Sequence, residues 1–319
     1  MSEMRRFGFD STTSDVLAGI DLGGKVALVT GGSGGLGEET ARAFAEKGAR
    51  VVLTARNAAK GEAAAQAIRA STGNGQVEVD ELELASLASV RAFAQRFLAR
   101  NDRLHILVNN AGVMACPFAK TTDGFERQLG TNHVGHFLLT CLLAPALRRG
   151  APSRVVSVSS RGHHASPVVF EDLHFTRRPY DKWLAYGQSK TANVLFAVDL
   201  DRRLGGVAVH ANAVHPGVIV TELARHLVPE DFELLSKRMP GGKLQFKPVP
   251  AGAATSVYAA TAPELEGRGG LYLEDCHVAA INDAENPPDG VKSYAIDPGL
   301  AQQLWTVSEE MVGQRFDLS

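Results

Sequence analysis

The sequence predicts a doubly wound α/β domain with a parallel sheet of about seven strands, and three observations support this prediction. Short apolar segments alternate six times with segments whose apolar residues recur at helical spacing. The apolar segments are nearly continuous, which is typical of parallel strands buried on both faces. A glycine-rich loop follows the first of them and leads into the first long helical segment.

The alternation can be followed from residue 25 to residue 217. Helical periodicity predicts helices over residues 36–48, 57–71, 87–100 and 132–149, and over a long segment around Tyr186. The apolar segments between them are the predicted strands, at residues 25–30 (KVALVT), 49–55 (ARVVLTA), 76–82 (QVEVDEL), 104–112 (LHILVNNAG), 153–160 (SRVVSVSS) and 207–217 (VAVHANAVHPG).

Composition excludes several classes of partner. The 319 residues are 45% hydrophobic and carry a formal net charge of −2, which favours neither nucleic acid nor an anionic membrane surface. The three cysteines are widely spaced and form no C-x-x-C pair, as expected for inert thiols in a reducing compartment. No apolar leader and no apolar run of membrane-spanning length is present. We therefore expect a cytoplasmic protein that does not bind a membrane.

A single domain is predicted over residues 25–319, after an N-terminal extension over residues 1–24. The least regular stretch, residues 222–250, mixes apolar, charged, Pro and Gly residues. Such a composition is more typical of a mobile lid than of a linker between domains. We expect this stretch to form a small helical lid over the substrate.

The glycine-rich loop TGGSGGLGEETA is the first candidate binding site. Gly31, Gly35 and Gly37 allow a tight turn, so that free N–H groups at the start of the next helix can bind a pyrophosphate. A flexible loop is the alternative, but this position in a βαβ series favours a dinucleotide site. Ser33 is a candidate hydrogen-bond partner of the same phosphate.

The end of the second predicted strand discriminates between two dinucleotides. An acidic residue there would bind the ribose 2′-OH of NAD, whereas an arginine accommodates the 2′-phosphate of NADP. Ala55 offers no carboxylate, and Arg56 follows it. The sequence therefore predicts NADP(H) as the cofactor, with NAD(H) less favoured.

Tyr186 and Lys190 are one helical turn apart, so their side chains share a face of the predicted helix. Taken alone, this spacing is more often structural than catalytic. A cation about 4 Å from the phenol would lower the pKa of Tyr186 by about 3 units and let it act as a base. Ser160 ends a predicted strand, where ligands of open α/β sheets bind.

These motifs, in this order and together with Asn109-Asn110-Ala111-Gly112, make the chain resemble the short-chain dehydrogenase/reductase family over nearly its whole length. Three segments are most similar to its retinol-dehydrogenase and WW-domain-oxidoreductase group, with the protochlorophyllide reductases nearby: AYGQSKTANVLFAVDL, AVHPGVIVTEL and GGLYLEDC. The resemblance implies a Rossmann-type fold, an NAD(P)-dependent oxidoreductase, and a homodimer or homotetramer formed by pairing of long helices.

The resemblance also implies roles for individual residues. Tyr186 is implied as the general acid/base, Lys190 as a ligand of the nicotinamide ribose, and Ser160, rather than Ser159, as the residue that orients the carbonyl. Asn132 is implied to organise a proton-relay water. Glu83 stands where the family commonly has an aspartate beside adenine. The implied cofactor ligands are Leu36, Glu83, Leu84, Asn110, Ala111, Gly112, Tyr186, Lys190, Pro216, Gly217, Val218 and Thr221.

The expected activity is hydride transfer between NADP(H) and a small-molecule carbonyl or alcohol. No metal ion is expected, because the paired histidines, His163 with His164 and His133 with His136, have no carboxylate or cysteine beside them at metal-ligand spacing. An NADP(H)-binding sensor or scaffold with incidental turnover is the alternative. A lipophilic substrate is expected from the apolar residues predicted to line its site: Val168, Val169, Phe170, Leu223, Leu227, Phe232 and Trp305.

Overall fold

The computed structural model describes residues 7–237 and 242–318. Residues 1–6 of the predicted N-terminal extension and residues 238–241 of the predicted lid lie outside the described residues. Within the two described ranges, none of the helices combines the length and the apolar character that crossing a membrane requires.

The centre of the molecule is an eight-stranded sheet with the order β3-β2-β1-β4-β5-β6-β7-β8. The first seven strands are parallel, which confirms the predicted doubly wound sheet, and the two-residue β8 pairs antiparallel with β7. The strand order reverses at β1, so a crevice forms at the carboxyl ends of β1 and β4. The strands are β1 Val26–Val29, β2 Arg50–Ala55, β3 Val77–Glu81, β4 Ile106–Asn109, β5 Ser153–Val158, β6 Val209–His215, β7 Tyr272–Glu274 and β8 His277–Val278.

Helices cover both faces of this sheet, which explains why its strands are apolar on both sides. One buried cluster joins the sheet to α4, α6, α7 and α10, and a second joins it to α2, α3 and α9. The helices are α1 Thr13–Val16, α2 Gly35–Glu46, α3 Ala58–Thr72, α4 Leu87–Arg100, α5 Arg127–Leu129, α6 Gly135–Arg149, α7 Lys182–Leu204, α8 Pro229–Lys237, α9 Val249–Thr261 and α10 Pro298–Val312.

The described part of the N-terminal segment packs against α2 and α9. Val16, Leu17 and Leu22 are buried in the cluster that α9 shares with the sheet. The Phe7 ring lies edge-on to Tyr258 of α9, with 5.9 Å between ring centroids. Residues 7–24 therefore contribute apolar contacts to the core of the domain.

The long helix α7 begins at a side-chain cap. The Asp181 carboxylate accepts hydrogen bonds of 2.8 Å from the backbone N–H groups of Trp183 and Leu184. This cap satisfies N–H groups that lack a helical partner and sets where the helix starts. Tyr186 and Lys190 consequently occupy the first turns of α7, and both are buried.

Candidate active site

A cleft of about 1370 Å³ opens at the carboxyl ends of the strands. It receives residues from the loops after β1, β4, β5 and β6 and from the predicted lid. Of the residues proposed from the sequence as cofactor ligands or catalytic groups, all but Asn132 line it: Gly31, Ser33, Gly35, Leu36, Gly37, Arg56, Glu83, Leu84, Asn110, Ala111, Gly112, Ser160, Tyr186, Lys190, Pro216, Gly217, Val218 and Thr221.

The glycine-rich loop forms a tight cradle at one end of the cleft. A Cβ on Gly37 would lie 2.3 Å from the Gly31 carbonyl oxygen, so this position has room for no side chain. Gly31 and Gly35 have φ angles of +68° and +56°, a conformation that favours glycine. Among the described residues no side chain caps the start of α2, and its first residues, Gly35, Leu36 and Gly37, line the cleft with N–H groups that lack a helical partner. This geometry fits a pyrophosphate.

Thr30 connects the ends of β1 and β4 below the cradle. Its Oγ1 accepts hydrogen bonds from the backbone N–H groups of Asn110 (2.9 Å) and Ala111 (3.0 Å), and it lies 2.9 Å from His136 Nε2. Nδ1 of His136 donates to the Asn132 carbonyl, which leaves Nε2 to accept the Thr30 hydroxyl proton. Burial lowers the pKa of His136 to about 4, so the ring stays neutral in this role.

The proposed catalytic groups meet where β5 ends above α7. Ser160 Oγ accepts a 2.9 Å hydrogen bond from the Gly162 N–H, and Ser160 and the Tyr186 ring lie on the same side of Gly162, at the cleft. Ser159 Oγ instead donates to the Lys190 carbonyl at 2.8 Å. Of the serine pair, Ser160 is therefore the one that faces Tyr186. A Cβ on Gly162 would lie 2.7 Å from the Tyr186 ring, so this turn also needs glycine.

Lys190 lies beside the Tyr186 ring, with Nζ 5.6 Å from the ring centroid, and Nζ donates to the Val158 carbonyl at 2.9 Å. Burial lowers the pKa of Lys190 to about 7 and raises the pKa of Tyr186 to about 12, against the opposing effect of the neighbouring Ser160 hydroxyl. The direction for Tyr186 is opposite to the sequence-based expectation. In the chain alone, burial dominates because Lys190 itself loses much of its charge near neutral pH.

Asn132 lies in a single π-helical turn, Gly130–Val134, at the entry to α6. Its Oδ1 accepts from the Val113 N–H at 2.8 Å, and its Nδ2 donates to the Val113 carbonyl and to Ser189 Oγ. Both polar atoms of the amide are therefore engaged within the protein. The side chain holds the chain after β4 against α7 and does not line the cleft.

Two cations lie at the opposite end of the cleft from Tyr186, where β2 ends. Arg56 has a 63% exposed side chain, and its Nη1 is 3.9 Å from Glu83 Oε2. Lys60, in the first turn of α3, has Nζ 3.6 Å from Glu222 Oε1 of the predicted lid. The other carboxylate oxygen of Glu83 accepts from the Ala85 N–H at 2.9 Å. Both cations are accessible to an anionic group bound in the cleft.

The substrate wall predicted from the sequence is partly wrong. Leu223, Leu227 and Phe232 line the cleft, and the other apolar residues of the described 222–250 segment that join them are Ala224, Leu234, Leu235, Leu244 and Phe246. Val168, Val169, Phe170 and Trp305 do not line it.

The physical reason for three of them is that Val168, Phe170 and Trp305 belong to the core beside α7. The Trp305 ring packs 4.9 Å from Phe137 and 6.1 Å from Phe196, between α6 and α7. Val168 is buried in the same cluster, and Phe170 packs against it. The apolar face of α10 therefore stabilises the core and does not line the cleft.

A protein-family model described as short chain dehydrogenase matches residues 25–231 of the chain. The chain belongs to the short-chain dehydrogenase/reductase family. It is therefore an oxidoreductase that acts on CH–OH or C=O groups of small molecules with a nicotinamide dinucleotide.

Curated members of this family are similar over nearly the whole chain. Retinol dehydrogenase 12 of Mus musculus is 45% identical over 300 residues, which cover 93% of this chain and 89% of the relative. Retinol dehydrogenase 14 of Homo sapiens is 42% identical over 308 residues, covering 91% of this chain and 87% of the relative.

Solved structures of the family show the same fold. A protein from Mycobacterium paratuberculosis is 37% identical, with a TM-score of 0.74 over 96% of this chain and 99% of that chain. The Pseudomonas aeruginosa protein RhlG, in an active-site complex with NADP, is 30% identical, with a TM-score of 0.63 over 80% of this chain and 95% of that chain.

Lys60, which lines the cleft, and Thr30, which lies below the cradle, are among the site residues that the sequence-based prediction missed. Lys60 lies four positions after Arg56, in the first turn of α3, so its nearness to Arg56 in the sequence could have indicated it. Thr30 precedes the predicted glycines, but its partner His136 is 106 positions away. No local pattern relates residues at that separation.

Proposed function

We propose that this dehydrogenase uses NADP(H) to interconvert a lipophilic ketone or aldehyde and its alcohol. The observation that carries the proposal is the position of Ser160 and Tyr186 next to one another at Gly162, in the same cleft as the glycine cradle. A proton donor, a carbonyl-orienting hydroxyl and a pyrophosphate site are thus arranged along one cavity.

The bound dinucleotide would supply or accept the hydride. Tyr186 supplies the proton: with a pKa raised to about 12, its phenol is protonated at neutral pH and can donate to the carbonyl oxygen as that oxygen gains charge. Ser160 Oγ, held by the Gly162 N–H, orients its hydroxyl toward the same oxygen. In the direction of alcohol oxidation, Tyr186 would receive the proton.

Lys190 and Asn132 would support this transfer. Lys190 Nζ reaches the cleft while donating to the Val158 carbonyl, so it has further protons to donate to a ribose hydroxyl. Asn132 is proposed to support the proton relay indirectly. Its amide hydrogen-bonds to the Val113 backbone and to Ser189 Oγ and so fixes the segments around the cleft. The relay water itself stays a prediction.

The preference for NADP(H) is proposed from the charges at the far end of the cleft. Arg56 and Lys60 present two cations, and no carboxylate ends β2 to bind an unmodified ribose. The related RhlG protein was solved with NADP, which supports the same choice.

The lipophilic substrate is proposed from the segment 222–250, which we infer to be a lid. Leu227, Phe232 and Leu235 of this segment line the cleft together with Met114 and Trp183. Burial of apolar substrate surface against such side chains contributes about 25 cal/mol per Å². Relatives named for retinol, an apolar alcohol, agree with this chemistry.

The decisive experiment compares the wild type with Tyr186→Phe. The variant should bind NADPH normally but lose about 10²–10⁴-fold in the rate of carbonyl reduction, because its proton donor is gone. NADPH absorbance on a panel of apolar ketones and aldehydes measures the rate, and Tyr258→Phe in the opposite helix layer is the control. Unchanged activity in Tyr186→Phe would contradict the mechanism and favour a sensor with incidental turnover.

The predicted homodimer or homotetramer stays a prediction. Helix α7 packs against α10 of the same chain and is buried along nearly all its length, so pairing needs another surface. Light scattering on the purified protein would give the subunit number.

A further inference from the structure

Lys247 is a buried cation that lies behind the wall of the cleft and does not line it. Its side chain is 1% exposed, and its Nζ lies 2.5 Å from Asp275 Oδ1. The same Nζ lies 4.7 Å from the ring centroid of Phe9 in the N-terminal segment. One ammonium group therefore joins the end of the lid to two other segments of the chain.

The aliphatic part of Lys247 packs against Gly217, in the cleft-lining turn after β6. A Cβ on Gly217 would lie 2.8 Å from Lys247 Cδ and 3.0 Å from its Cε, so only glycine allows this contact. Gly217 also has a φ angle of +97°, which disfavours any other residue. The lysine stem thus fills the space where a side chain would otherwise stand.

The backbone of Lys247 is attached to the same turn. Its N–H donates to the Val218 carbonyl at 2.9 Å, and Phe246 forms an isolated parallel bridge with Val218. From the other side, His215 Nδ1 accepts a hydrogen bond from the Gly217 N–H. Residues 215–218 are consequently held between β6 and the strand-like end of the lid.

Asp275 binds the ammonium group of Lys247, at the other end of its side chain from the backbone. It lies in the turn between β7 and β8, where Asp275 and Cys276 have φ angles of +45° and +59°. Such angles are costly for residues other than glycine and persist where surrounding contacts hold them. The ion pair with Lys247 and the hydrogen bond from the Cys276 N–H to Thr255 Oγ1 are two such contacts.

We propose that Lys247 is a positioning residue: through Gly217 and Val218 it fixes the cleft wall against which the nicotinamide half of the cofactor binds. This inference rests on the proposed function, in which Pro216, Gly217 and Val218 line the nicotinamide. Lys247 contacts neither cofactor nor substrate. Its charge holds the end of the lid, the β7–β8 turn and the N-terminal segment together beside the turn that follows β6.

Binding of a cofactor fragment distinguishes the positioning role of Lys247 from a general contribution to the stability of the fold. Adenosine 2′,5′-bisphosphate contains the adenosine half of NADP and lacks the nicotinamide. Lys247→Met keeps the stem on Gly217 and removes the charge, and should weaken NADP⁺ binding about tenfold while the fragment keeps its affinity within about twofold. Isothermal titration of both ligands gives the two dissociation constants, and the wild type measured alongside shows whether the proposed cofactor binds at all.

Three further variants complete the design. Asp275→Asn should reproduce the effect of Lys247→Met, and the double variant should be no weaker than either single one, since both remove the same ion pair. Arg154→Met removes a partly buried ion pair with Glu266 at the opposite end of β5 and should leave both affinities unchanged. If Lys247→Met does not fold, Asp275→Asn alone carries the comparison.

Each outcome decides the matter. Selective loss of NADP⁺ affinity in Lys247→Met or Asp275→Asn supports the positioning role. Equal loss of both ligands, or no loss, overturns it. A wild type that binds the fragment and NADP⁺ equally well overturns it too, because the nicotinamide half then makes no useful contact. A wild type that binds neither ligand contradicts the proposed function itself.

Discussion

The two ends of the cleft are constructed in different ways. At the cofactor end, backbone atoms in close contact determine the shape: Gly37 lies against Gly31, and Thr30 binds two successive N–H groups of the loop after β4. At the lid end, side chains determine it, and several apolar ones remain exposed, among them Val220 (69%) and Phe246 (48%).

The attachment of the lid shows the same contrast. Asp231 at the start of α8 is buried and accepts hydrogen bonds from Lys182 Nζ (2.6 Å), Trp183 Nε1 (3.1 Å) and the Val228 N–H (3.0 Å). This one carboxylate ties the lid to the start of α7, about one turn before Tyr186 and about two turns before Lys190. A dinucleotide common to many enzymes can have a rigid backbone site, whereas a lid held by side chains can change with the substrate.

The largest expected effect is at the cofactor end. Gly37→Ala places a Cβ against the Gly31 carbonyl, and the loop has to move. We expect NADPH affinity to fall by about 100-fold or more, since overpacking of this size costs about 1–3 kcal/mol and the pyrophosphate contacts are lost as well. Fluorescence titration with NADPH measures the loss.

The control for this change is Gly75→Ala, where an added Cβ meets no atom within 4 Å. Its NADPH affinity should equal that of the wild type. Normal NADPH binding by Gly37→Ala would show that the glycine cradle can change shape as easily as the lid. The cofactor end and the lid end of the cleft would then not differ in rigidity.

A smaller effect is expected from the two cations near β2. Arg56→Ala and Lys60→Ala should each weaken NADPH binding by about tenfold and change NADH binding by less than about twofold, because each removes one charged contact to the 2′-phosphate. Titration of both dinucleotides gives the ratio. Arg103→Ala, on the exposed turn before β4, is the matched loss of charge. Equal losses for NADPH and NADH would refute the proposed preference.

At the lid end, Asp231→Ala should raise the KM for apolar substrates by about fivefold and leave NADPH affinity unchanged, because it releases α8 from α7 without touching the cradle. Steady-state kinetics with direct NADPH titration separate the two quantities. The exposed neighbour Glu230→Ala is the control. A parallel loss of NADPH affinity in Asp231→Ala would mean that the two ends are not independent.

The smallest expected effect is on how the stability of the cofactor-free protein depends on pH. Burial lowers the pKa of Lys190 from 10.5 to about 7, so between these pH values the unfolded chain binds a proton that the folded protein has released. Lys190 therefore makes the free energy of unfolding rise with pH in this window. Lys190→Met should melt a few degrees, roughly 2–6 °C, above the wild type below pH 7, and this advantage should shrink toward pH 10.

Thermal melts from pH 6 to pH 9.5 test this expectation. The range stops there because the raised pKa of Tyr186 gives a pH dependence of opposite sign above pH 10. A difference in melting temperature between Lys190→Met and the wild type that stays constant across the range would show that burial does not lower the pKa of Lys190.

Local spacing was sufficient to predict the alternation of strands and helices, the glycine cradle and the Tyr186–Lys190 pair. These features depend on neighbours within a few residues: helical and strand periodicity, glycines where no Cβ fits, and two side chains on one helix face. Eighteen proposed site residues line the cleft because the carboxyl ends of parallel strands meet there.

Tertiary structure decided the contacts between distant segments. The link between Thr30 and His136, the ion pair of Lys247 with Asp275 and the burial of Trp305 under α6 and α7 join parts of the chain with no common pattern. The pKa of Tyr186 belongs here too, because burial by the whole fold outweighs one neighbour on its helix. Desolvation and packing depend on every segment that surrounds a group, and these segments come together only when the chain has folded.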